Sequence, residues 1–180
     1  MQVAVPTYRD ALEFFQRMKR RPFKLNPPGS VPLSSVAARV LAELGAGALA
    51  ADFILPSGAA LKRAYKYSDY PSAELGARWS VIGVSGAGDL WLSSLQDQAG
   101  GIAFLDHDQE SRAVPRPIGI GPEAWVVVAL LFRMFEDAER AARRSPSSRA
   151  ALRRLARETN RALNAISPGL VRRLPYQLSD

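Results

Sequence analysis

Short apolar runs separated by turn residues set the pattern in the middle of the chain. Arg78–Val84 carries Trp79, Val81, Ile82 and Val84, Leu90–Leu95 is apolar again, and Ile102–Leu105 is a third run. Ser85–Asp89 (SGAGD) and Gln96–Gly101 supply the residues that tight reversals need, and the polar stretch Asp106–Glu110 ends the series. Runs this short and this close predict an antiparallel meander, because parallel pairing needs a crossover of about a dozen residues or more. Asp52–Leu55 and Leu61–Tyr67, on either side of Pro56–Gly58, predict a further hairpin with Tyr65 and Tyr67 on one face.

The flanks follow helical spacing instead. Over Thr7–Arg21, Tyr8, Leu12, Phe15 and Met18 form a stripe widened by Ala11 and Phe14; Thr7 and Asp10 fit a capping box. Pro22–Pro32 holds four prolines and one glycine in eleven residues and predicts an extended linker. Ser34 or Ser35 opens a second helix to about Leu44; the small residues Ala46–Ala51 either prolong it or lie beyond Gly45 and Gly47. Ser68–Leu75 is an irregular connection, and Ser111–Pro122, with three prolines and two glycines, reads as a loop. Gly121–Arg140 is a helix with Pro122 and Glu123 in its first turn and Trp125, Val128, Ala129, Phe132 and Phe135 facing the sheet. After a break at Ser145–Ser148, a last helix runs to Ile166, with Leu152, Leu155, Thr159, Leu163 and Ile166 on one face; the final eleven residues are poor in apolar content. The fold class is α+β: an antiparallel sheet of about five strands packed by N- and C-terminal helices. Residues 1–32 are expected as a helix and linker, 33–138 as the core and independent folding unit, and 139–180 as an arginine-rich helix and tail.

The central pattern also resembles the SUKH superfamily. Trp79, Ile82, Gly86, Gly88, Asp89, Leu92, Gly101 and the step Asp106–His107–Asp108 carry the likeness, and the helix that usually follows fits Gly121–Arg140. That superfamily includes fungal cell-wall regulators and many bacterial immunity proteins. The resemblance implies a protein that neutralises a cognate toxin, often a nuclease or deaminase, by covering its active site.

Composition narrows the chemistry. The chain has no cysteine, which excludes disulfides and thiolate metal sites and makes a reducing cytoplasm the expected setting. The longest apolar run, Ala124–Phe132, is nine residues, well short of the ~20 that span a bilayer, so no membrane partner is expected. Net charge is +7, but residues 1–138 balance 14 bases against 14 acids. The excess lies wholly in 139–180, where ten arginines meet only Glu139, Glu158 and Asp180.

Gly83-x-x-Gly86-x-Gly88 precedes a strand and lacks a following Lys-Ser/Thr, so it marks a turn in which Asp89 accepts backbone bonds, not a phosphate cradle. Asp97, Asp106, His107, Asp108 and Glu110 gather acids around the sole histidine. Three uses suit such a set: a divalent-metal or acid–base site, a solvated turn, or a surface for a basic partner. One histidine without cysteine argues against zinc, the spacing fits no EF-hand, and neither Ser57 nor Ser85 lies in Gly-x-Ser-x-Gly. Trp79, Trp91, Tyr65 and Tyr67 suit base stacking or, more simply, core packing. Arg149, Arg153, Arg157 and Arg161, with Arg154 beside them, climb the last helix at four-residue spacing as a basic patch for phosphates or as its wet face. No catalytic residue, cofactor or metal ligand is assigned. The expected function is non-enzymatic toxin binding, with nucleic-acid association through the arginine helix as the alternative.

Overall fold

The protein is described from a computed structural model, over residues 3–18, 32–61, 75–108, 114–143 and 149–178. The helices are α1 (Tyr8–Gln16), α2 (Ser35–Leu44), α3 (Pro122–Ala142), α4 (Arg149–Ile166) and α5 (Leu170–Arg173). The strands are β1 (Gly47–Ala50), β2 (Phe53–Leu55), β3 (Trp79–Val84), β4 (Leu90–Ser94), β5 (Ile102–Leu105) and β6 (Arg116–Pro117). They form one sheet in the order β1–β2–β3–β4–β5–β6 with every neighbour antiparallel. The fold is therefore α+β, with the expected meander β3–β4–β5 at the centre of a sheet of six strands.

Local chemistry explains most element ends. The Thr7 hydroxyl accepts from the Asp10 amide at 3.2 Å while the Asp10 carboxylate accepts from the Thr7 amide at 2.8 Å, closing the capping box of α1. Ser34 caps α2 through the Ala37 amide, and Gly45 stops the helix at φ 69°. The stretch left open in the sequence, Ala46–Ala51, leaves the helix there and supplies β1.

The central object of the core is α3. Every residue from Trp125 to Phe132 is buried, because the sheet packs on one side and α1, α2 and α4 on the others. That wrapping accounts for the nine-residue apolar run, which needs no membrane. The Trp125 ring reaches the sheet at Gly83, where an added Cβ would lie 3.1 Å from the indole. Phe53 stacks on Trp91 with ring centres 5.0 Å apart, and Trp91 meets Trp125 edge-on at 5.8 Å. The opposite sheet face is also apolar: Val81, Leu90, Leu92, Ala103 and Leu105 pack with Leu61 and Leu75, and half-buried Trp79 lies against them. Burial on both faces is why these strands read as continuous apolar runs and not as alternating ones.

Several expectations change. Leu61 does not open a strand. The Ser57 hydroxyl accepts from Ala60, the Leu61 amide bonds to the Ser57 carbonyl at 2.8 Å, and Leu61 is helical, its buried side chain joining the second core. Among the described residues the first hairpin is β1–β2, turning at Ala51–Asp52, and 62–67 lie outside them. Within the proline-rich loop, Arg116–Pro117 pairs with Phe104 and Ala103; a proline is tolerated there because β6 is the sheet's edge. Phe14 is 38% exposed and lies off the buried stripe of α1. Tyr65 and Tyr67, Lys19–Arg21, most of the Pro22–Pro32 linker and Ser145–Ser148 lie outside the described residues.

The tail is part of the body. Leu170 and Leu174 are buried, and the Arg173 guanidinium donates to the carbonyls of Ile118 (2.7 Å) and Pro168 (3.0 Å) and to the Ser167 hydroxyl (2.6 Å). One core cluster runs from Ala11 and Phe15 through α3 to Leu163 and Leu174, so all three stretches divided in the sequence contribute to it. No helix among the described residues is long and apolar enough to cross a membrane.

Candidate functional site

The sheet end formed by the β3–β4 turn and the exit of β5 holds the densest polar network of the described residues. Pairing of Leu90 with Leu105 places Asp89 beside Asp106–Asp108. Within the turn, the Ser85 hydroxyl accepts from the Ala87 and Asp89 amides at 3.1 and 3.0 Å and donates to Asp89 Oδ2 at 2.8 Å. Gly88, at φ 105°, allows the reversal, and an added Cβ on Gly86 would come within 3.1 Å of the Ala51 carbonyl. The Gly86 amide donates to Asp52 Oδ1, and the Trp91 indole donates to the Asp52 carbonyl at 2.7 Å, so the β1–β2 turn is fastened to the same end.

Asp89 is the hub. Its side chain is 10% exposed. Oδ1 accepts from the His107 ring (Nδ1, 2.7 Å) and from the His107 amide (3.3 Å). Oδ2 accepts from Ser85 and from the Tyr176 hydroxyl at 3.1 Å. Burial works to raise the carboxyl pKa, but these four bonds together hold it below the ordinary value. The other His107 nitrogen, Nε2, lies 3.0 Å from the exposed carboxylate of Asp108. Only the cation could donate to the carboxylates on both nitrogens, so this setting favours the protonated ring. The Asp89 bond accordingly raises the His107 pKa against a desolvation penalty, with Asp108 and Asp106 adding to the rise. Burial, with the Asp52 and Asp89 charges, keeps the Tyr176 phenol well above its ordinary value, so it remains a donor.

This arrangement is poor in reactive groups. Ser85 gives its proton to Asp89 and not to the histidine, and each His107 nitrogen already faces a carboxylate. Asp89, Asp106 and His107 do bring possible ligand atoms within 4.8 Å of one another. Both Asp89 oxygens are already engaged, however, and a cation would have to displace the His107–Asp89 bond.

The acidic set read from the sequence is thus divided. Asp106, His107 and Asp108 meet, joined by Asp89, whose role extends well beyond its own turn. Asp97 lies at the other end of the β4–β5 hairpin, roughly 13 Å of strand away, because β5 separates it from Asp106. There its carboxylate accepts from the Ala99 and Gly101 amides at 2.9 and 3.2 Å, and an added Cβ on Gly101 would crowd it at 3.1 Å. Glu110 lies outside the described residues. Trp91 is core, as its area predicts, and Arg149, Arg153, Arg157 and Arg161 lie exposed along α4. Sequence reasoning missed Ser85, Asp52 and Tyr176. The four-residue spacing of Ser85 and Asp89 around a glycine turn was a usable signal for the first; Tyr176 arrives from 87 positions away and had none.

No protein-family model, curated protein or solved structure matches the chain.

Proposed function

We propose that this protein is a non-enzymatic binder of the immunity type, SUKH-like in kind, which neutralises a cognate toxin of the nuclease or deaminase class by covering it. The reading rests on one observation: both nitrogens of the sole histidine face carboxylates, Asp89 and Asp108, and the Ser85 hydroxyl donates to Asp89 and not to the ring. Asp106 is half-buried and Asp108 exposed beside His107, with Arg116 across the groove that Asp106 lines. Rim carboxylates of this kind draw a basic partner in and act mainly on the association rate. The glycine turn and meander that carry the SUKH resemblance build this same end.

The test is binding to the product of an adjacent toxin-like gene. A stoichiometric complex that abolishes toxin activity is expected. Changing Asp106 and Asp108 together to Asn should slow association several-fold and flatten its salt dependence, while Glu13→Gln, an exposed acid on α1, should change neither. No inhibition of the toxin would overturn the immunity reading. Inhibition with unchanged kinetics in the double variant would move the interface away from this end.

A further inference from the structure

Of the ten arginines in 139–180, several are neutralised or held. Arg140 meets Glu136 and Asp137, Arg143 meets Glu139, Arg154 meets Glu158, and Arg173 is bound to backbone carbonyls. Arg149, Arg153, Arg157 and Arg161 are different. All four are exposed, and none has an acidic partner among the described residues. Glu158, the one acid of α4, is largely buried and already engaged by Arg154, although it shares a surface groove with Arg161.

Folding does not explain this row. Three successive like-charged pairs at i,i+4 work against the helix. Three of the four arginines also occupy its N-terminal half, where the helix dipole favours acids, and the first turn carries no acid. The helix is docked without them, through Ala156, Thr159, Ala162 and Leu163. The guanidinium groups thus add positive potential at some expense to the element that carries them.

We propose that this face of α4 binds the phosphodiester backbone of nucleic acid without regard to base sequence. A four-residue repeat advances about 6 Å per step, so the row is about 18 Å long, and it drifts only about 40° per step, which keeps all four side chains on one side. Duplex DNA presents one charge per ~1.7 Å of axis, so a row of this length faces several phosphates at once. Guanidinium is the side chain best matched to a phosphate, which it can grip with two parallel bonds. A continuous line of phosphates suits a linear row better than the scattered carboxylates of a folded partner do. The proposal is independent of the acidic end and of toxin binding.

The full chain would be titrated into a labelled duplex and a labelled single strand of mixed sequence over a range of NaCl. Affinity should fall linearly on logarithmic axes. The variant with Arg149, Arg153, Arg157 and Arg161 all changed to Gln should lose about 3.6 from that slope on duplex, or about 2.8 on single strand. The corresponding four-Lys variant should keep most of it. The Gln variant should also melt no lower than the parent, since it relieves repulsion; if it does melt lower, the four-Lys comparison still separates charge from folding. A charge-matched control with Arg9, Arg78, Arg140 and Arg143, none of them on α4, changed to Gln should lose less than one unit of slope. Equal losses in the control and the row variant would overturn the proposal, as would no binding at low salt. Binding to phosphatidylserine vesicles but to neither nucleic acid would also overturn it.

Discussion

At the scale of single residues, Asp89 and His107 make a titratable clasp whose sign is fixed by the two shifts. His107 is raised in the folded state, so its contribution to stability is complete below about 6.5, the ordinary histidine value, and is lost as pH rises through its folded value. Asp89 is lowered, so its contribution is present above about 3.9, the ordinary aspartate value, and is lost as pH falls through its folded value. The pair therefore stabilises most between these limits, on the mildly acidic side of neutrality. Urea denaturation of the parent and of His107→Gln across pH should show the largest difference there and a shrinking one toward alkaline pH. A difference that grew with rising pH would mean that the imidazole is neutral in the fold, and the clasp as drawn would be wrong. Ser85 and Tyr176 hold Asp89 even without the histidine, so the variant should still fold.

At the scale of elements, α3 and the sheet depend on each other through one ring. Trp125 is fully buried, lies against Gly83 and touches Phe53 and Trp91. Its indole nitrogen has no hydrogen-bond partner among the described residues, so its value is in packing. Trp125→Ala should cost about 3–5 kcal/mol in denaturant unfolding, the usual range for a large aromatic cut to alanine in a core. An unchanged midpoint would place the ring outside the core. The pairing also explains Gly83: a strand residue without Cβ is needed where the indole approaches, which has nothing to do with a ligand cradle. Gly88, by contrast, is called for by its backbone angle.

At the scale of the molecule, the question is how much chain makes one folding unit. Phe15 from α1, Leu163 from α4, and Leu170 and Leu174 from the tail are all buried in the cluster that contains Trp125. A fragment of residues 33–138 would expose the face of α3 that these residues cover. Expressed alone, it should lack the cooperative thermal transition of the full chain, with circular dichroism as the readout. A sharp transition in the fragment would show that the meander and α3 suffice. Asp89, Asp106 and Asp108 meet at one end of the sheet, and on α4 four exposed arginines have no acidic partner among the described residues.

What the sequence determined by itself was whatever depends on near neighbours. The capping box Thr7–Asp10, the meander from Arg78 to Leu105, the run of α3 and the exposed arginine row all follow from spacing, turn chemistry and helical periodicity. Those forces act within a few residues. The tertiary structure decided the rest. Gly47–Ala50 has no strand signature of its own and becomes β1 because β2 offers it an edge. Arg116–Pro117 becomes β6 by pairing with β5. The sequence grouped Asp97 with Asp106 because nine positions look close, but β5 lies between them and carries them to opposite ends. Tyr176 shares a carboxylate with Ser85 because the tail packs back across the sheet, and adjacency of that kind exists only once the core has formed.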